Sequence, residues 1–99
     1  MDCVVMIDRL ASLGARALHT GREEDSDRFC RELAKRLDDL PALAGCWRIA
    51  SPVQRNTILN AARKCGHERD ELERSIEEEI KRLPPPEPQL EPRRDDPVR

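Results

Sequence analysis

The chain changes character at Leu83. Up to that residue it reads as a succession of amphipathic helices; beyond it, Pro84-Pro85-Pro86-Glu87-Pro88 opens a 16-residue stretch that carries six prolines. Proline has no amide hydrogen and a fixed φ, so no helix runs through such a stretch. Residues 1–83 are therefore expected to form one small helical domain, and residues 84–99 a disordered, proline-rich, charged tail. The fold class that follows is all-α: a small antiparallel helical bundle of about four helices plus a short helical connector.

A helical body of this size has a thin margin. Domains this small bury only about 60–65% of the surface of the unfolded chain. With one Phe, one Trp and no Tyr, the core must come from aliphatic side chains. Self-association into a homodimer would widen the margin. Net charge is −2, from 18 basic and 20 acidic residues. The balance holds locally: 8 basic against 9 acidic residues in 1–50, 7 against 7 in 51–83, and 3 against 4 in the tail. No segment has the basic surplus of a phosphate-binding surface, which disfavours nucleic acid as a partner.

The run Cys3-Val4-Val5-Met6-Ile7 is apolar, but Asp2 and Asp8 flank it. It is too short for a signal core or a membrane span. The expected setting is cytoplasmic, with no membrane contact. The four cysteines, Cys3, Cys30, Cys46 and Cys65, are 27, 16 and 19 residues apart. In a reducing compartment they are expected to be free thiols packed like small apolar side chains.

Apolar spacing and capping residues place the helices. The first is expected over about residues 2–19, capped by Asp2, with Cys3, Ile7, Leu10, Leu13 and Ala17 on one face. Val4, Val5, Met6 and Leu18 widen that face, so this helix is expected to be the most buried. Gly14 weakens it by about 1 kcal/mol relative to Ala unless a neighbouring helix packs closely there. A second helix is expected from Asp25 or Ser26 to about Asp39, with Phe29, Leu33 and Leu37 inward and charges on the solvent side. Residues 40–50 read as an apolar connector in which Pro41 opens a short helical turn. Ser51-Pro52-Val53-Gln54 is a capping box and starts a helix that ends at Cys65-Gly66. The last helix is expected from His67 to Leu83, with a stripe of Leu72, Ile76, Ile80 and Leu83, and should form a hairpin with its predecessor.

The chemistry of catalysis is sparse. Cys65-Gly66-His67 supplies zinc-type ligands, but no C-x-x-C spacing supports a metal site, and none is expected. His19 and His67 both fall at helix ends, the four glycines are isolated, and no nucleophile–base pair is evident. Neither an enzyme nor a cofactor is expected. Residues 51–83 resemble a helix-turn-helix in outline, which makes a small DNA-binding regulator the alternative reading. Against it, His67–Glu79 holds seven carboxylates and two arginines, with Glu68, Asp70 and Glu71 in the first turn.

The remaining candidates are surfaces. Glu68, Asp70, Glu71, Glu73, Glu77, Glu78 and Glu79 are read as an acidic ridge for a larger protein partner with a basic surface. Part of that charge also suits the helix dipole, since Lys81-Arg82 closes the other end. Trp47 is read first as a core anchor and second as a partner-binding hot spot. Arg82-Leu83-Pro84-Pro85-Pro86-Glu87-Pro88 fits a basic residue followed by P-x-x-P. The functional expectation is a non-catalytic protein–protein interaction module: an adaptor, or an inhibitor that occludes its partner. A phage or mobile-element anti-defence protein, such as an anti-CRISPR protein, fits that class.

Overall fold

The structure, a computed structural model, describes residues 2–84, and among these it is all-helical. The five helices are α1 (Cys3–Thr20), α2 (Glu23–Leu37), α3 (Leu40–Trp47), α4 (Pro52–Ala62) and α5 (Arg69–Arg82), with a 3₁₀ turn at Arg63–Cys65 after α4. The expected proline-rich tail, and with it the P-x-x-P segment beyond Pro84, lies outside the described residues.

Local signals set most boundaries. Asp2 caps α1, accepting from the Val4 amide at 3.4 Å. The Ser51–Gln54 box forms in both directions: the Gln54 amide donates to Ser51 Oγ at 3.1 Å, and the Ser51 amide to Gln54 Oε1 at 2.9 Å. Gly66 ends the 3₁₀ turn with φ +87°, a conformation that only glycine adopts cheaply. Glu68 rather than His67 caps α5, accepting from the Glu71 amide at 2.9 Å.

The core is aliphatic with two rings. Trp47, Phe29, Ile7, Leu10, Leu33, Leu43, Ile58, Leu59 and Ile76 are almost fully buried. Each such side chain contributes on the order of 1.5–3 kcal/mol on leaving water. The connector expected over 40–50 is a full helix, α3, and it is central. Leu43, Ala44, Cys46 and Trp47 are buried, and α5 turns back chiefly onto it, with a lighter contact to α4. At Gly14, α1 meets both α2 and α4 closely. A Cβ there would come within 3.1 Å of Ala61 on α4 and 3.2 Å of Phe29 on α2. The weak helix former is thus the residue that permits the close approach.

Two sequence expectations are overturned here. The cysteines are not free thiols: Cys3 pairs with Cys46, and Cys30 with Cys65. Their Cα separations, 4.9 and 5.6 Å, lie within disulfide range. The bonds tie α1 to α3 and α2 to the turn after α4, in interlaced order along the chain. The second correction concerns α1. Met6 is buried as expected, but Val4, Val5 and Leu18 are exposed, because α1 buries a single stripe of Met6, Ile7, Leu10, Gly14 and Ala17.

Helix α2 begins at Glu23, ahead of the expected Asp25, because Asp25 is not a cap. It is 4% exposed and joins the α1–α2 corner sideways. Thr20 Oγ1 donates to it at 2.7 Å, Arg16 Nε at 3.2 Å and Arg22 Nε at 3.3 Å. The Thr20 hydrogen bond does most to hold this carboxyl below its ordinary value, and the two arginines add to it; burial pulls the other way. A depressed carboxylate contributes stability that is present above its unfolded-state pKa and lost as pH falls through the folded value. Thermal unfolding followed against pH should therefore decline below about pH 4. Asp25→Asn should lower Tm at neutral pH and flatten that decline, closing the gap to wild type in acid. Parallel acid limbs in the two proteins would rule out this role for Asp25.

Candidate functional site

The seven carboxylates read from the sequence as one ridge are distributed by α5 over two flanks. At about 100° per residue, Asp70, Glu73 and Glu77 share one flank, Glu71 and Glu78 share the other, and Arg74 and Lys81 lie between them. Glu79 sits toward the core side, half-buried, and pairs with Arg82 at 3.3 Å. Glu68 is engaged as the helix cap. The charges are present, but the continuous negative strip is not.

Trp47 is 1% exposed and belongs to the core. The core-anchor reading stands, and the residue leaves the set of accessible partner contacts. Its carbonyl closes the end of α3: Arg55 donates to it through Nε at 3.2 Å and Nη2 at 2.8 Å.

The other buried charge is Glu32, which is 6% exposed. It pairs with Arg36 at 2.6 Å and with Arg9 of α1 at 3.7 Å. Asp25 and Glu32 therefore act as two rungs that join α1 to α2, which leaves neither poised for chemistry. Among the described residues no three His, Cys, Asp or Glu side chains gather to hold a metal ion. No described helix is long and apolar enough to cross a membrane.

Two surface features stand out instead. The first is an apolar end. The Cys3–Cys46 bond pins the start of α1 to the end of α3, and α4 starts only a few residues later. Helix α4 then reaches Gly14 with Ala61, and a shallow hollow around Leu18 with Asn60, Arg63 and Lys64. Helices α1 and α4 thus run in the same sense from a shared end. At that end Val4, Val5, Ile49 and Val53 are 62%, 54%, 54% and 73% exposed. Isolated exposed aliphatic residues are ordinary, but several at one end of so small a body mark a surface. The sequence hid it, since Val4 and Val5 were counted toward the core, Ile49 lies in the link after α3, and Val53 sits inside the capping box that starts α4.

The second feature is at the opposite end, where α2, α3 and α5 meet. A groove of about 340 Å³ is lined by Leu37, Leu40 and Leu72 together with Gly66, His67, Glu68, Glu71 and Ser75. A wider hollow beside it is bounded by Arg63, Gly66, His67, Glu68, Arg69 and Asp70. Arg69 is held there by Asn60 at 2.7 Å and Asn56 at 2.6 Å, which fixes the first turn of α5 against α4. That first turn presents the exposed carboxylates of Glu68, Asp70 and Glu71. The arrangement opposes entry into a phosphate-lined groove and disfavours the helix-turn-helix alternative.

No protein-family model, curated protein or solved structure matches the chain.

Proposed function

We propose that the chain is a non-catalytic protein–protein interaction module, an adaptor or an inhibitor that covers part of a larger partner, and that it works in an oxidising compartment. The observation that carries the reading is the apolar end formed by Val4, Val5, Ile49 and Val53. Side chains of this kind lose free energy to water unless a partner covers them, and the interior behind them is already filled. The compartment is argued from the cysteines. Two interlaced disulfides in so small a body favour an oxidising setting over the cytoplasm, where thiols are kept reduced.

The test uses the oxidised protein as bait in cells that make it. Its captured proteins are compared with those of a Val5→Asp/Val53→Asp variant. Both positions lie in the first turn of a helix, where a carboxylate suits the dipole, so the substitutions leave the fold intact. The expected result is a protein enriched by wild type and lost from the variant. Equal enrichment by both baits, or none above bare resin, counts against the reading.

A further inference from the structure

We infer that the groove between α2, α3 and α5 is a second docking surface, separate from the apolar end, and that its occupant is a basic segment of a partner protein anchored by an aliphatic side chain. The floor is apolar: Leu72 is 7% exposed, and Leu37 and Leu40 are half-buried at the seam. The volume of about 340 Å³ is at the low end for a small-molecule site and suits one or two inserted side chains. Such a floor specifies an aliphatic anchor.

The rim specifies charge. Glu68 and Glu71 line one side. Asp38 and Asp39 fall between Leu37 and Leu40 at the α2–α3 junction, and both are exposed. The C-terminal end of α2, whose carbonyls carry partial negative charge, lies on the same side as these two aspartates. The N-terminal end of α5 contributes partial positive charge, but Glu68 and Glu71 already offset it. Of the nearby cations, Arg36 is committed to Glu32 and Arg69 to Asn56 and Asn60, while Arg63 borders the adjoining hollow and does not line the groove. His67, half-buried, is the one lining residue able to carry positive charge. An apolar slot lined by Glu68 and Glu71, with Asp38 and Asp39 exposed at the adjoining α2–α3 junction, complements a Leu or Ile flanked by Lys or Arg, and repels an acidic segment.

The probe is an amphipathic peptide with leucines on one face and lysines on the other, titrated into the oxidised full chain. A matched peptide with glutamate for lysine serves as control. Amide chemical shifts locate the contact, and calorimetry at two salt concentrations gives affinity. The lysine peptide should move the amides of Leu37, Leu40, Glu71, Leu72 and Ser75, bind more weakly at high salt, and lose about tenfold or more in affinity to Asp38→Lys/Asp39→Lys/Glu71→Lys. All three substitutions are at exposed positions, and circular dichroism checks that the helices remain. Shifts confined to Val4, Val5, Ile49 and Val53, equal binding of the glutamate peptide, unchanged affinity in the triple variant, or no binding at millimolar peptide would each overturn the inference. The capture experiment is read at the apolar end and the peptide titration at the groove, so either surface can fail while the other succeeds.

Discussion

Reducing both disulfides is expected to remove most of the stability of this domain. In the chain-entropy account, closing loops of 43 and 35 residues stabilises by about 4 kcal/mol each. The two loops interlace, so with one bond closed the other constrains a chain that is already shorter, and the sum is smaller than twice the single effect. Because the loop term is logarithmic the reduction is modest, and a combined loss of about 7 kcal/mol is comparable with the whole stability of a small domain, about 5–15 kcal/mol. Urea unfolding with and without a dithiol reductant measures it directly. The midpoint should fall steeply, and the reduced chain should be partly unfolded in the absence of denaturant at moderate temperature. Cys3→Ser/Cys46→Ser and Cys30→Ser/Cys65→Ser should each show an intermediate loss. In the oxidised protein, thiol titration in denaturant should find no reactive sulfhydryl. Four titratable thiols in native protein, or equal midpoints with and without reductant, would show that the bonds do not hold this fold together.

The same bonds explain what was legible in the sequence and what was not. Capping at Asp2, the Ser51–Gln54 box and the left-handed Gly66 each depend on residues within a few positions of one another, and the sequence reading placed them correctly. The stripe of Leu72 and Ile76 was equally plain, because helical periodicity is local. Cysteine pairing is different. Residues 43 and 35 positions apart meet only once the helices have packed, and nothing in their spacing selects a partner. Asp25 and Glu32 were hidden for a related reason. A charge on an amphipathic helix reads as solvent-facing unless the arginines of the neighbouring helix are already in place beside it.

The acidic surface shows a third kind of limit. Counting carboxylates along residues 68–79 suggested a ridge, but a helix distributes consecutive residues around its axis. Asp70, Glu73 and Glu77 separate from Glu71 and Glu78, and the periodicity that located Leu72 and Ile76 also carries that separation. The groove at Leu37, Leu40 and Leu72 was beyond sequence reasoning altogether. It is made where three helices end or begin, and although Leu37 and Leu72 each belong to a stripe, periodicity within one helix does not say that the two stripes meet.

Trp47→Ala is expected to destabilise by about 3–5 kcal/mol, at the top of the range for a single core truncation. The indole is 1% exposed and sits on the last turn of α3, the helix against which α5 packs. Removing it opens a cavity in the core beside α3, and the adjoining Cys46 is held by its bond to Cys3, so the backbone cannot close in freely. Trp47→Phe retains a ring and should cost roughly half as much or less, in the range of a partial core truncation. Because Trp47 is the only tryptophan in the chain, wild-type fluorescence reports on its burial directly. Native protein should emit toward the blue and shift red on unfolding in urea, with the same midpoint as helicity. An accessible tryptophan quenched equally by iodide in native and unfolded protein, or an alanine variant with an unchanged midpoint, would move Trp47 out of the core and return it to the surface as a partner contact.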